Sequence, residues 1–475
     1  MARSEAPMST ELSLRLSFDR RWFSAAFRRL WRYGRAASWP LSLSLLVLLT
    51  RIAPLSPIQD AVSQKDALHL SLSLPFWHLV FTPLCSVADA LTVSGASQLK
   101  SVLLWSVCGI LLLRSARKSM TGAVLLLVFL SWGLLASRPM GRLVSADPDV
   151  VLVDFHSHTE ASHDGRRGFS AEENIRWHRA QGYDAAFITD HNDNQAAVRA
   201  KDLTEKNWRS TGYRSLAGEE LSLFKTHLVV LGNGENIARE PFNSEPFLLK
   251  NAIQFAHARG LLILAALPEY WEYHSPPRDA PPERKWRLTR DVRRAETVDV
   301  RKLIAWGIDG FEIVNGDPKA LDFPTDDRAQ IVELCRRNNL LITGATDTHG
   351  YGGAAADWNA VRVPGWQRMG PAELERSILA VLHEKRFGAV TVVQRRRYVP
   401  VTRFQKIMAP VGLLIVYGRS LQRAQVIAWI GWIWGYRLAL LCFVRLRRME
   451  AKATRSFWGL SMPWAERDGR VTEPS

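Results

Sequence analysis

Between residues 148 and 395, short β-branched runs alternate with stretches of helical periodicity, an alternation that limits the middle of the chain to parallel βα units. Candidate strands are Val150 to Asp154, Ala185 to Thr189, Arg214 to Ala217, His227 to Leu231, Leu261 to Ala265, Gly310 to Val314 and Leu340 to Ala345. Seven such strands predict an α/β barrel. Ser170 with Glu173 forms a capping box for a helix to Gln181, Thr325 opens an amphipathic run through Ile331, Leu334 and Cys335, and Pro371 suits a first helical turn. The Pro-, Arg- and Trp-rich segment Ser275 to Trp286 reads as a loop over the barrel mouth, and no internal repeat is present.

The flanks are different. Apolar stretches lie near 39–58, 74–93, 101–113 and 120–137, and after the middle segment at 407–418 and 425–444. A helix that crosses a bilayer needs about 20 apolar residues. Three or four spans are therefore expected within 39–140 and one or two within 405–445, the last anchored by Trp429, Trp432, Trp434 and Tyr436. The first run comes late and others follow, which argues against a cleaved signal peptide.

The net charge of +16 collects beside these stretches. Residues 1–38 interleave Arg15, Arg20, Arg21, Arg28, Arg29, Arg32 and Arg35 with Trp22, Phe23, Phe27 and Trp31, a pattern for an amphipathic helix lying on an anionic leaflet. The tail 446–475 is again basic, and placing both ends in the cytoplasm requires an even number of spans. A multi-pass cell-membrane protein with a lipid bilayer as partner is expected, the side of the middle domain undecided. Nucleic acid is not expected, because the basic residues flank apolar spans. Four scattered cysteines without a Cys-x-x-Cys pair give neither a disulfide framework nor a thiolate zinc site.

Ten of the twelve histidines fall between His156 and His383, most of the notable ones just after a candidate strand. In βα barrels the ends of strands and the following loops build the active site. His156 and His158 are separated by one residue, so an extended backbone sends both imidazoles to one side. Ser162-His163-Asp164-Gly165, Thr189-Asp190-His191-Asn192, Gly218-Glu219-Glu220, His227 and Thr346-Asp347-Thr348-His349-Gly350 follow. Each fragment alone could be a satisfied strand end or turn. Together, imidazoles and carboxylates suit divalent zinc, manganese or iron(II), with Glu220 as the natural bridge, and such a cluster performs hydrolysis by activating water. His178 and His383, on candidate helices, read as structural.

The order His-x-His, Asp-Gly, Thr-Asp-His, Gly-x-Glu, His before an apolar strand, and Asp-x-His-Gly, spanning 154–350, resembles the polymerase and histidinol phosphatase (PHP) family. The resemblance implies a distorted seven-stranded (β/α) barrel over 146–400 with two or three divalent metal ions. It implies that His156, His158, Glu220 and Asp347 hold one ion, that Asp164, His191 and His349 hold another, and that Glu220 and His227 contribute to a third. His163 competes with Asp164, and Glu219 with Glu220. Leu267 stands where the family often has a histidine ligand, which makes two ions the conservative expectation; Glu269 or His274 would be substitutes.

The expected function is a membrane-anchored metal-dependent phosphoesterase in which a metal-bound hydroxide attacks a small-molecule phosphate ester. Arg166 and Arg167 are candidates to meet the phosphate. Rival readings are a carboxylic or carbamate ester hydrolase and a metal-binding sensor module.

Overall fold

The computed structural model describes residues 38–67, 69–113, 115–223, 226–237, 248–266, 271–272 and 298–460. The basic segment 1–37, Lys225, Leu267, Glu269, His274 and the segment 275–286 lie outside the described residues. The described residues fall into two compact units, one within 50–428 and the other made of 38–49 with 429–460.

In the larger unit the described strands are β1 (Ile58–Asp60), β2 (Leu70–Ser73), β3 (Arg142–Ser145), β4 (Val150–Asp154), β5 (Ala185–Ile188), β6 (Arg214–Leu223), β7 (Thr226–Leu231), β8 (Leu262–Ala266), β9 (Trp271–Glu272), β10 (Val298–Asp299), β11 (Gly310–Asn315), β12 (Leu341–Ala345), β13 (Asp357–Arg362) and β14 (Val390–Arg395). Ten of them make one sheet in the order β1-β14-β13-β4-β5-β6-β7-β8-β11-β12. All seven expected strands lie in its contiguous run from β4 to β12. The parallel expectation holds for β4–β5–β6 and β8–β11–β12, whereas β7 pairs antiparallel with both β6 and β8. Only two residues separate β6 from β7, which suffices for a hairpin but not for a crossover.

The sheet curls. Asn359 on β13 donates through Nδ2 to Val153 O of β4 (3.0 Å) and Gly344 O of β12 (2.8 Å), and accepts from Gly344 N (2.7 Å). Beyond the strand ends, Asp347 N donates to His156 O and His158 N to Thr348 O, both at 3.0 Å. β4 and β12 thus meet through the side chains of Asn359 and of Asp154, whose Oδ1 accepts from Thr346 N at 3.1 Å, and through a single backbone bridge rather than a full ladder. Every residue of β5, β8, β11 and β12 is buried, as expected for strands covered on both faces.

Helices Ala171–Gln181, Thr325–Asn338 and Pro371–Lys385 stand where the sequence places them. The capping box at Ser170 does not form, because the hydroxyl turns to Glu172 Oε2 at 2.7 Å. Gly182, which ends the first of these helices at φ 89°, is needed there: a Cβ would lie 2.4 Å from Leu143 O.

The apolar stretches depart from the expected spans. Stretch 39–58 is helical only over Ser38–Leu49, and Ile58 begins β1 against β14. Stretch 74–93 breaks into helices Phe76–Val80 and Thr82–Thr92, with His78 buried against Asp89 (3.2 Å) and Asp89 paired to Arg138 (2.9 Å). Helices Ala96–Leu111 and Ala409–Ser420 are shorter than a crossing needs. Among the described residues, two helices are long and apolar enough to cross a membrane, Ala116–Leu135 and Arg423–Glu450. The second continues to Leu460, so the first half of the expected tail 446–475 is helical. In the smaller unit Trp434 Nε1 donates to Ser44 Oγ at 3.2 Å, and Trp39 meets Tyr436 edge-on.

Candidate metal centre

Past β4 the chain bends at Phe155 and Ser157 bridges to Thr348, and the imidazoles of His156 and His158 on either side of it are fully buried with their Nε2 atoms 3.0 Å apart. Asp347, just after β12, holds a left-handed backbone (φ 48°) that places its Oδ1 3.0 Å from His158 Nε2 and 3.5 Å from His156 Nε2. Such a conformation in a non-glycine residue costs free energy and is tolerated where the surroundings fix it; here the bond from Asp347 N to His156 O does so. Glu220 of β6 enters from the third side, with Oε2 3.1 Å from His156 Nε2, 3.2 Å from His158 Nε2 and 2.8 Å from His191 Nδ1. Its Oε1 lies 2.7 Å from His227 Nδ1.

Asp164 extends the cluster outward, its Oδ2 3.4 Å from His191 Nε2 and 3.2 Å from His349 Nε2. The ligating atoms form four overlapping groups that could hold an ion: His156, His158 and Asp347; His158, His191 and His349; His163, Asp164 and His191; and His191, Glu220 and His227. All eight residues singled out as ligands therefore converge. His163 converges too, its ring 4.9 Å from that of His191, so both residues of the His163-Asp164 pair reach the cluster. Glu219 does not: strand alternation turns it away, and its Oε2 accepts from Ile237 N (2.8 Å) and Asn233 Nδ2 (3.1 Å).

Arg166 is tied to the centre by its backbone, whose N–H donates to His349 O at 2.9 Å, while its buried Nε has no hydrogen-bond partner; Arg167 is exposed. Asn192 accepts from Ser222 N at 3.1 Å and closes the turn after β5. His178 is buried in its helix against Asp154 (2.9 Å).

A further layer fixes the imidazoles. His156 Nδ1 lies 2.9 Å from Glu312 Oε1 in β11, and Glu312 Oε2 accepts from Asn315 Nδ2 (3.1 Å). His158 Nδ1 is 2.9 Å from Ser162 Oγ, which is itself 3.0 Å from Asp190 Oδ1; Ser222 Oγ is 2.7 Å from His191 Nδ1. Glu312 was not singled out from the sequence. Its signal was present all the same, as a carboxylate inside the otherwise apolar strand Gly310-Phe311-Glu312-Ile313-Val314.

Burial alone would discharge these groups, yet the opposite shifts prevail. The neighbouring histidines, His156 foremost, hold Glu220 well below the usual carboxylate range, and they also hold Asp347 low. Against the same desolvation, Glu220, Glu312 and Asp347 raise His156 well above its ordinary value. Asp164 and Glu220 push His191 up to about 10, and Asp164 and Asp347 push His349 up to about 9. The centre thus holds anions that demand positive charge. Glu220 Oε2 and His349 Nε2 are buried close to these oppositely charged neighbours without a well-directed hydrogen bond, and each of two imidazole nitrogens lies within 3.5 Å of two carboxylate oxygens. This donor set of nitrogen and oxygen fits borderline divalent ions.

No family model and no curated relative match the chain. Solved structures do. A Bifidobacterium adolescentis protein classed as a metal-dependent phosphoesterase shares 17% identity over 43% of this chain and 89% of its own, with a TM-score of 0.28. An amidohydrolase from Chromobacterium violaceum, with bound sulfate and no metal, shares 16% over 47% of this chain and 96% of its own, with a TM-score of 0.29. A two-domain Bacteroides vulgatus protein classed as containing a PHP-like metal-dependent phosphoesterase shares 18% over 48% of this chain and 63% of its own, with a TM-score of 0.30. Likeness at this level leaves the functional argument to the side chains themselves.

Proposed function

We propose that this chain is a metal-dependent phosphoesterase of the PHP type, its run β4 to β12 a distorted seven-stranded barrel, attached to a bilayer through its apolar helices. The observation that carries the reading is that His156 Nε2 and His158 Nε2 each lie within 3.5 Å of both Glu220 Oε2 and Asp347 Oδ1, inside a wider cluster that holds His191, His227, His349 and Asp164. His156, His158, Glu220 and Asp347 would hold one divalent ion; Asp164, His191 and His349, with His163 in reach, would hold a second; Glu220 and His227 offer part of a third. Zinc, manganese and iron(II) suit these donors. When bound, such ions supply Lewis acidity that lowers the pKa of a water and neutralises phosphoryl oxygens.

The protein's own part is positioning. Glu312 and Ser162 hold Nδ1 of His156 and of His158, so that each Nε2 is presented to the centre, and Ser222 lies beside His191 Nδ1, which faces Glu220. Glu220 touches His156, His158, His191 and His227, which makes it the residue that keeps the subsites in register. Asp164 and His349 lie at the exposed edge, where a phosphate would enter, and Arg166 backs that edge with a buried, unpartnered Nε.

The test is metal content of the purified full chain together with manganese- or zinc-dependent phosphate release from a panel of mono- and diesters. Two or more ions per chain, with release abolished in both His156→Ala and Asp347→Ala, is the expected result. A metal-free chain, or release that survives both substitutions, overturns the assignment.

A further inference from the structure

The metal centre and the apolar helices share one rim. Helix Ala96–Leu111 starts on the loop after β11: Ala96 N donates to Pro318 O (2.7 Å), while Ser97 N and Oγ donate to the two carboxylate oxygens of Asp322 (2.7 and 2.8 Å). Helix Ala116–Leu135 ends on the loop after β12. There Gly352 N bonds Leu134 O, Arg138 bonds Gly352 O and also Gly133 O, and Ala354 N donates to Thr92 Oγ1 at 3.1 Å. Gly352 is three residues beyond His349, and Tyr351 between them is half exposed. These loops follow the C-terminal ends of the strands, the end where His156, His191 and Asp347 also lie.

The two helices return on each other as a hairpin, with Ser119 Oγ donating to Ile110 O at 3.1 Å. Its flanks are bare: Leu104, Leu111, Val124, Leu125, Leu127 and Val128 are all more than half exposed. Exposed large apolar side chains gathered on one hairpin mark an interaction surface. At 1.5 Å per residue, the 20 residues of Ala116–Leu135 span about 30 Å, the thickness of a bilayer's hydrocarbon. Exposed Arg117 and Lys118 mark the far end, and Arg138, buried on Asp89, marks the rim. Exposed charge at the far end, a buried ion pair at the rim and bare apolar side chains along about 30 Å between them fit hydrocarbon as the occupant rather than a protein groove.

We infer that this hairpin inserts in a bilayer with its open end at headgroup level, so that the metal centre works on a phosphate ester carried by a membrane amphiphile. The substrate part rests on the phosphoesterase reading; the placement does not. An amphiphile's phosphate sits at the depth of Tyr351 and His349, and its chains stay beside the hairpin. A soluble ester gains nothing from that arrangement.

Two readouts separate the parts. The full chain, with exposed Cys108→Ala and Cys442→Ala and a bimane label on either Tyr351→Cys or Val124→Cys, is placed in phosphatidylcholine vesicles carrying nitroxide at the headgroup or at mid-chain. Headgroup nitroxide should quench the Tyr351 position at least twofold more than mid-chain nitroxide, with the reverse at Val124. Lack of quenching at Val124 by either lipid means that protein, such as a second copy, covers the hairpin, and overturns the placement. Separately, the unlabelled chain with manganese is given dioleoylphosphatidate in mixed micelles or soluble glycerol 3-phosphate. The expected result is at least tenfold higher kcat/KM for the lipid, with a rate that falls as neutral detergent dilutes the surface. Equal rates overturn the substrate class. If neither ester is hydrolysed while the quenching pattern holds, the phosphoesterase reading fails and the placement stands.

Discussion

Replacing Glu312 by glutamine keeps its shape and removes its charge where His156 Nδ1 lies 2.9 Å away in a fully buried setting. A hydrogen bond to a charged group contributes about 1.5–3 kcal/mol and a neutral one about 0.5–1.5 kcal/mol, so the lost charge costs about 1–1.5 kcal/mol. A second cost comes from the other oxygen. Glu312 Oε2 accepts from Asn315 Nδ2 at 3.1 Å, and the amide of a glutamine there would set two NH2 groups face to face. Asn315 cannot flip freely, because its Oδ1 already accepts from Asp317 N at 2.8 Å. One more neutral hydrogen bond is lost, about 1 kcal/mol. The sum, about 2–2.5 kcal/mol, corresponds to a loss of roughly 30- to 60-fold in the affinity of the His156 subsite, within the range typical of outer-layer partners of metal ligands. Competition between the full chain and a chelator for zinc measures this, with circular dichroism to show that Glu312→Gln remains folded. A folded variant whose zinc affinity stays within twofold of the parent would refute the reasoning.

Three other outcomes are expected. Glu220→Gln should lose bound metal and lower phosphate release by more than about 100-fold, whereas Glu219→Gln should leave metal content unchanged and cost about 1–2 kcal/mol of stability through its contacts with Ile237 N and Asn233; metal analysis and chemical denaturation distinguish the two. In chelated protein His191 and His349 stand at about 10 and about 9, above the ordinary histidine value of 6.5. Because the folded form then binds protons more tightly than the unfolded one, their contribution is complete below pH 6.5 and is lost as pH rises through 9 to 10; a midpoint of thermal unfolding that rises across that window would contradict it. Zinc must displace those same protons, so binding at pH 7.5 should release protons, measured by calorimetry in buffers of different ionisation enthalpy.

The candidate centre was legible because its geometry is local. One intervening residue in an extended chain puts His156 and His158 on the same side, and the same alternation separates Glu220, which faces four histidines, from Glu219, which faces Ile237 and Asn233. The seven strands were legible from short β-branched runs, but their pairing was not. Periodicity says nothing about direction, and only the two-residue gap between Leu223 and Thr226 makes β7 antiparallel. Glu312 escaped notice because its meaning lies across the sheet, in a contact with a histidine 156 positions away.

Apolar content misleads most at 74–93. Hydropathy gives that stretch the look of a span, and its His78 and Asp89 the look of exceptions within one. In the fold they are its reason. Asp89 accepts from Arg138 and lies against His78, and Arg138 in turn holds Gly133 O and Gly352 O, so a buried charge cluster ties Thr82–Thr92 to the end of helix Ala116–Leu135 and to the loop after His349. Removing one partner from such a buried pair leaves an uncompensated charge, which costs about 3–5 kcal/mol. Arg138→Leu should therefore destabilise the whole larger unit and disturb the backbone at Gly352, three residues from a candidate ligand. A full-chain Arg138→Leu variant with unchanged unfolding midpoint and unchanged metal affinity would show that the cluster does not couple the apolar helices to the metal centre.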